Sequence, residues 1–316
     1  MKIIFYGFGE INRIIAKKAL ERNYTIHGAI DIKPELINKD IGEIIGKEKL
    51  GVKVHKKLEE AIKEEKPDLV IHATSSFLNI TYNQIIECVK NKLSVISTCE
   101  ELVYPFIKYP SLAKELEKEI KKNNVRVLAI GVNPGFVMDS LPIFLSTVLN
   151  RIEHIYIKRS INASKRRQSF RNKIGIGLTK DEFEESVNMK RITGHVGLTE
   201  SLGLISTALA MNYDEIYETK PIPILSKNKR VVGIKIYGKL LYKSKEVILL
   251  EFIASEKNRD TDTIKITGEP NITVSIRGGI PGDDATANII LNSIKPFLNL
   301  QEGLRTVLDL LKLHYS

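Results

Sequence analysis

Gly7 and Gly9 lie between a short apolar run, 2-KIIFYG-7, and a stretch of helical periodicity, 11-INRIIAKKALER-22. In that setting the first glycine permits a tight turn. The second lets the backbone approach a phosphate at the N-terminus of the helix. Phe8, Glu10 and Ile11 complete the loop, and Asn12 stands where a third glycine or alanine is usual. That third position serves close helix–strand packing, so the change bears on affinity and leaves the phosphate site in place. The strand-like segment 25-TIHGAID-31 ends on Asp31, 22 residues beyond Gly9, where a carboxylate can accept a ribose 2′-hydroxyl. The plain alternative is a tight glycine turn with a surface aspartate. Taken together, strand, turn, helix and acid point to a dinucleotide. A carboxylate at position 31 repels a 2′-phosphate, so NAD is the expected cofactor. Lys33 softens that preference and leaves NADP open.

Further candidates follow later strands. Thr74, Ser75 and Ser76 come after the strand 68-DLVIHAT-74, where small hydroxyl residues let a cofactor pass closely. The serines could also cap the next helix, and both roles are compatible. Glu100 and Glu101 follow the strand 94-SVIST-98. Asn133, Pro134 and Gly135 follow 125-VRVLAIG-131, where Pro-Gly makes a turn and the amide could orient a nicotinamide or a substrate.

The elements that must position these residues alternate along the first third. Helical patterns at 11–22, 57–66, 79–91 and 110–123 separate strand patterns at 2–7, 25–31, 68–74, 94–98 and 125–131. This is the signature of an α/β fold with a Rossmann-type parallel sheet. After about residue 150 the pattern changes. The stretches 152–161, 230–242, 246–255 and 272–279 read as long antiparallel-type strands, and 196–211 as a mostly buried helix. The expected organisation is a dinucleotide-binding domain over 1–135 and an α+β substrate and dimerisation domain over 136–283, its sheet largely antiparallel. Helices from about 284 to 316 should pack back near the first domain, with the helix at 284–299 regular up to Pro296.

Composition excludes other classes. Of 316 residues, 43% are hydrophobic and 27% charged, which is ordinary for a globular chain. Lys plus Arg number 48 against 38 Asp plus Glu, a formal charge of +10. The charge is spread through mixed stretches such as 56-KKLEEAIKEEK-66, which read as solvated helix faces and do not favour nucleic acid. No apolar run approaches the about 18 residues of a membrane span, and the start lacks a signal-peptide pattern. With only Cys88 and Cys99, no disulfide framework arises, and a cytoplasmic protein is expected. The six histidines are isolated, which argues against a metal site.

Several stretches then converge: 97-STCEELVYP-105, 131-GVNPGFVMD-139, 166-RRQSFRNKIGIGLTKDEF-183, 194-GHVGLTES-201 and 282-GDDATANIILNSI-294. With the glycine turn, they make the chain resemble the 2,4-diaminopentanoate dehydrogenase family and, more widely, NAD(P)-dependent amine dehydrogenases. Its N-terminal part is similar to dihydrodipicolinate reductase. The resemblance implies a homodimeric oxidoreductase that transfers hydride from an amine-bearing carbon to NAD(P) and hydrolyses the imine to ketone and ammonia. The type member converts diaminopentanoate to 2-amino-4-oxopentanoate. A small-molecule amine or diamino acid is the implied substrate.

Such chemistry needs a base, because an ammonium has no lone pair with which to expel hydride. A desolvated carboxylate suits, since burial raises its pKa toward neutrality. Glu101 is preferred and Glu100 stands close behind; alternation along the strand does not decide between them. Two solvated loop acids would read the same way. The resemblance places His195 in the substrate pocket, as a hydrogen-bonding group or proton relay; the bland reading is a satisfied core histidine. Arg159 follows an alternating strand and is the candidate to grip a substrate carboxylate. Arg166 and Arg167 could equally be solvated or interfacial. Cys99 invites comparison with thiolate enzymes, but two acids follow it and would raise its pKa. The competing functions are a non-catalytic dinucleotide sensor and a reductase acting on an imine made elsewhere.

Overall fold

The computed structural model describes residues 1–311, and the chain divides into two compact units. Of the described residues, one comprises Met1–Gly135 with the segment from Pro281 to Leu311, the other Phe136–Ile280. Among the described residues no helix is long and apolar enough to cross a membrane.

In the first unit the strands are β1 (Lys2–Tyr6), β2 (Thr25–Ile30), β3 (Val54–His55), β4 (Leu69–His72), β5 (Val95–Ser97) and β6 (Arg126–Ala129). The helices between them are α1 (Glu10–Glu21), α2 (Ile41–Ile44), α3 (Leu58–Ala61), α4 (Leu78–Lys90) and α5 (Pro110–Lys122). The second unit contains α6 (Ser140–Ser146), β7 (Arg151–Asn162), α7 (Gln168–Lys173), α8 (Lys180–Asn188), α9 (Leu198–Ala208) and strands β8 (Glu215–Glu218), β9 (Ile222–Leu225), β10 (Val231–Tyr242), β11 (Lys245–Ser255), β12 (Thr261–Glu269) and β13 (Ile272–Arg277). The chain then returns to the first unit as α10 (Gly282–Leu298) and β14 (Gly303–Arg305).

The first sheet is parallel throughout, in the order β14-β6-β5-β4-β1-β2-β3. Ile3–Phe5, Leu69–Ile71, Val95–Ile96 and Val127–Ala129 are fully buried, as strands covered on both faces must be. Each such aliphatic side chain contributes on the order of 1.5–3 kcal/mol by leaving water. Helix α1 buries Ile15, Ala16 and Ala19, and α5 buries Ala113, Leu116 and Ile120 behind a proline in its first turn. Helix α10 packs on α1; Arg22 at the end of α1 donates to the amides of Asn292 and Asn288.

Two helical expectations are corrected. The pattern at 57–66 yields only Leu58–Ala61, because these two are the segment's buried residues and the charged tail has no apolar face to hold it. Helix α10 runs past Pro296 to Leu298: the proline forfeits one i→i−4 hydrogen bond, and the fully buried Phe297 anchors the end in the core.

The second sheet has the order β13-β12-β7-β11-β10-β8, with β9 also pairing β10. It is antiparallel except between β7 and β11, which run parallel. One face is buried through alternate residues: Ile155, Ile157 and Arg159 on β7, and Ile248, Leu250 and Phe252 on β11. Strand β12 was not anticipated. Its alternation, Asp262, Ile264 and Ile266 inward, is carried by few apolar residues among threonines and lysines.

Candidate active site

The glycine turn joins β1 to α1. Gly7 has φ +80°, and a Cβ there would lie 2.6 Å from the Ala73 carbonyl oxygen and 2.7 Å from Thr74 Cγ2. Only glycine meets both conditions. A Cβ on Gly9 would meet nothing within 4 Å, so the turn is open on that side. Gly9 is the N-cap of α1 and provides no side-chain cap, and Glu10 and Ile11 begin the helix. Asp31 follows β2 and is 9% exposed; its carboxylate accepts from the backbone N–H of Phe8 at 2.7 Å and of Lys33 at 2.9 Å. Uncapped helix amides beneath an open glycine, with a carboxylate fastened beside them, fit a dinucleotide: Gly7–Asn12 would hold the pyrophosphate and Asp31 a ribose.

Asn12 is fully buried. Its Nδ2 donates to the carbonyls of Gly7 at 2.5 Å and of Tyr6 and Ile71 at 3.3 Å, which ties the turn to β4. A side chain thus fastens the helix start where fingerprint glycines rely on close contact.

After β4, the Thr74 hydroxyl donates to Gln84 Oε1 at 2.6 Å, and Ser75 Oγ accepts from the Phe77 N–H at 3.3 Å. The carbonyl of Ser76 accepts from the Glu101 N–H at 3.1 Å. The loops after β4 and β5 are therefore joined.

Glu100 and Glu101 lie in a 3₁₀ turn, Glu100–Leu102, at the end of β5. Glu101 is 5% exposed, and its Oε2 accepts from the Leu78 N–H, the first amide of α4, at 2.9 Å. Helix α4 has no cap of its own, since its N-cap is Phe77. Lys108 Nζ stands 3.9 Å from Glu101 Oε1. Glu101 thus caps a helix from a neighbouring strand, whereas Glu100 is half-buried. Cys99 is buried between them and α4, where Thr81 donates to its sulfur at 3.3 Å. Burial, with both glutamates adding, pushes its thiol up to about 12, which removes it as a nucleophile.

Asn133, Pro134 and Gly135 lie just beyond β6. Gly135 has φ +124°, and a Cβ on it would lie 2.6 Å from the backbone of Gly131. The chain folds back on itself here, and that contact defines the turn.

In the second unit, His195 precedes α9 and is half-buried, its ring stacked on Phe252 with centroids 4.6 Å apart and 19° between planes. Phe252 pairs in register with Arg159, and Arg159 with Asp262. Arg159 is 4% exposed; one guanidinium nitrogen donates to both Asp262 oxygens at 2.9 and 3.0 Å, and another to the Ile280 carbonyl at 2.7 Å. The Asp262 carboxylate also accepts from the Ile280 N–H at 2.8 Å. Burial pushes the Asp262 carboxyl upward and Arg159 downward, each opposed by the other's charge. The expectation that Arg159 grips a substrate carboxylate is corrected: the strand alternation turns it inward, but the chain's own Asp262 takes one guanidinium nitrogen and the Ile280 carbonyl another.

Two buried carboxylates, Asp139 and Glu200, were missed. Ser201 donates to Asp139 Oδ2 at 2.9 Å, which brings together the ends of the motifs 131–139 and 194–201. Membership of those motifs was the available signal. Among the described residues no three His, Cys, Asp or Glu side chains gather as a metal site.

A parallel sheet in this strand order, with an open glycine turn after β1 and an acid after β2, defines the dinucleotide-dependent dehydrogenases. Residues 136–314 match the family model of the 2,4-diaminopentanoate dehydrogenase C-terminal domain, and residues 1–99 that of the dihydrodipicolinate reductase N-terminus. The chain is similar to 2,4-diaminopentanoate dehydrogenase from Acetoanaerobium sticklandii, 30% identical over 272 residues, covering 80% of this chain and 76% of that protein. Among solved structures it is similar to an amine dehydrogenase from Mycobacterium smegmatis, with TM-score 0.86 and 23% identity over 100% of this chain and 97% of the other. A probable dehydrogenase from Thermotoga maritima follows with TM-score 0.61 and 15% identity over 98% and 92%. The chain belongs to the 2,4-diaminopentanoate dehydrogenase family, as its motifs had suggested.

Proposed function

We propose that the protein carries out NAD-dependent oxidative deamination of a small amine or diamino acid of the 2,4-diaminopentanoate type, or the reverse reductive amination. The observation that carries this reading is the placement of the Gly7 turn and the Glu100–Glu101 turn at the same ends of neighbouring parallel strands, β1, β4 and β5. The nicotinamide, when bound, accepts hydride from the amine-bearing carbon. The chain's residues do the proton work. Glu100 takes a proton from the substrate ammonium, which frees the lone pair that expels hydride. Glu100 then releases that proton to solvent and, as a carboxylate again, takes a proton from the water that adds to the iminium. It returns this proton to the nitrogen of the carbinolamine, so that ammonia leaves as the hydroxyl loses its proton and the ketone forms.

We assign the base to Glu100 rather than to Glu101, the acid preferred from the sequence. Glu101 already accepts from the α4 amide and lies near Lys108, so it serves as the positioning residue that fixes the turn. His195 is proposed to contact the substrate amine or carboxylate, its ring held by Phe252. Asn133 is proposed to orient the nicotinamide or the substrate. NAD is favoured over NADP because only backbone amides meet the Asp31 charge, leaving it to repel a 2′-phosphate.

The test is NAD reduction and ammonia release over diaminopentanoate, diamino acids and simple amines. Glu100→Gln should lower kcat by about 100- to 10,000-fold with NADH still bound. Glu101→Gln should lower it less. Near wild-type turnover in Glu100→Gln, or product without ammonia, refutes the reading.

A homodimer is also proposed, through the open face of the second sheet. That face carries the half-exposed Tyr156, Leu249 and Tyr237, with both tyrosine hydroxyls directed at Glu251. Sedimentation at micromolar concentration should give twice the chain mass, and a monomer rules the dimer out.

A further inference from the structure

We propose that His72 is a positioning residue for the turn that bears Glu100 and Glu101, acting through Ser97 as a neutral imidazole. The inference rests on the reading of Glu100 as base. His72 ends β4 and is fully buried. Its Nε2 lies 2.8 Å from Gln84 Oε1, an oxygen that can only accept, so Nε2 carries the proton. Nδ1 therefore has a lone pair, and the Ser97 hydroxyl, 2.9 Å away, donates to it. With its proton so used, Ser97 Oγ accepts from the Cys99 N–H at 3.0 Å. The donors point one way: from the Cys99 amide to Ser97, from Ser97 to His72, from His72 to Gln84. The Thr74 hydroxyl donates to the same Gln84 oxygen at 2.6 Å, so the loop after β4 shares the anchor.

Cys99 is the entry to the 3₁₀ turn and has extended backbone, φ −63° and ψ 111°. Its N–H is the last amide before the two acids, and Ser97 is fully buried. Without Ser97 Oγ that amide loses its partner and the turn loses the hydrogen bond at its entry. A proton on Nδ1 would instead take from the Ser97 hydroxyl the acceptor that fixes its direction. Burial pushes the His72 pKa down to about 4, which keeps Nδ1 an acceptor at neutral pH. His72 and Ser97 are both fully buried and act through the turn. Their effect is on where Glu100 stands, and a displacement of about 1 Å at such a group is worth about 100-fold in rate.

The test uses Ser97→Ala, His72→Phe and the double variant in the full chain. Ser97→Ala should lower kcat about 10- to 100-fold while NADH affinity, read by fluorescence, stays within about twofold. Hydrogen exchange in residues 98–102 should quicken, with β5 itself unchanged. The losses of the two single variants should overlap, so that the double variant is no slower than the worse single one. Multiplying losses, unchanged kcat, or unchanged exchange at 98–102 each overturns the proposal. If His72→Phe does not fold, kcat and exchange in Ser97→Ala decide alone. Glu100→Gln in the same series separates the two readings. Full turnover there overturns the assignment of the base, while the exchange result still decides whether Ser97 and His72 hold the turn.

Discussion

Asp31 and Asp262 are both almost closed to solvent, one after a strand of the parallel sheet and the other within a strand of the mixed sheet. Asp31 is met by two backbone amides and no cation among the described residues. Asp262 is met by one guanidinium nitrogen, shared between its two oxygens, and by one amide. Amides hold a carboxylate in place without cancelling its charge, so the field of Asp31 still acts on whatever approaches the glycine turn. The charge of Asp262 is neutralised locally, and with it that of Arg159. Both residues looked like ligand contacts in sequence or lay beside one. A buried charge is thus available for recognition when its partners are neutral, and is structural when its partner is a counter-charge.

The comparison can be broken at either end. Asp262→Asn should give the larger effect, because it strands the Arg159 charge in the interior. A loss of about 3–5 kcal/mol is expected, read as a lower denaturation midpoint. A loss below about 1 kcal/mol would mean that water already reaches the guanidinium, and the contrast with Asp31 would collapse. Asp31→Ser tests the other end. It should shift the ratio of NADP to NAD affinity toward NADP by about tenfold, or about 1.4 kcal/mol. A wild type that binds NADP tenfold tighter than NAD would show that the Asp31 field does not govern the choice.

Much of the first unit was legible because its information is local. A glycine after a strand, a proline opening α5 and apolar runs at β4 and β6 each act within a few residues. The site residues cluster at strand ends for the same reason. What escaped depends on register. Arg159 was correctly turned inward by alternation, but its partner lies on β12, whose threonines and lysines hide the period. Glu101 was correctly placed after β5, yet its job depends on an α4 whose N-cap, Phe77, cannot serve itself. His72 and Ser97 gave no signal, since a histidine within a strand becomes a relay only when the neighbouring strand puts a hydroxyl beside it.

The first unit is discontinuous, and this bears on how the chain comes off the ribosome. Synthesis reaches Gly135 with six parallel strands made, but β6 pairs on its outer side only with β14, and α1 is covered by α10. Both arrive after the whole of Phe136–Ile280 has been translated. Until then the nascent parallel sheet ends in a bare edge at Arg126–Ala129 and lacks the apolar cover of Ile290, Ile294 and Phe297. The open edge of a half-finished sheet is a template for pairing with other chains. The middle of synthesis therefore exposes an edge that β14 covers in the finished fold.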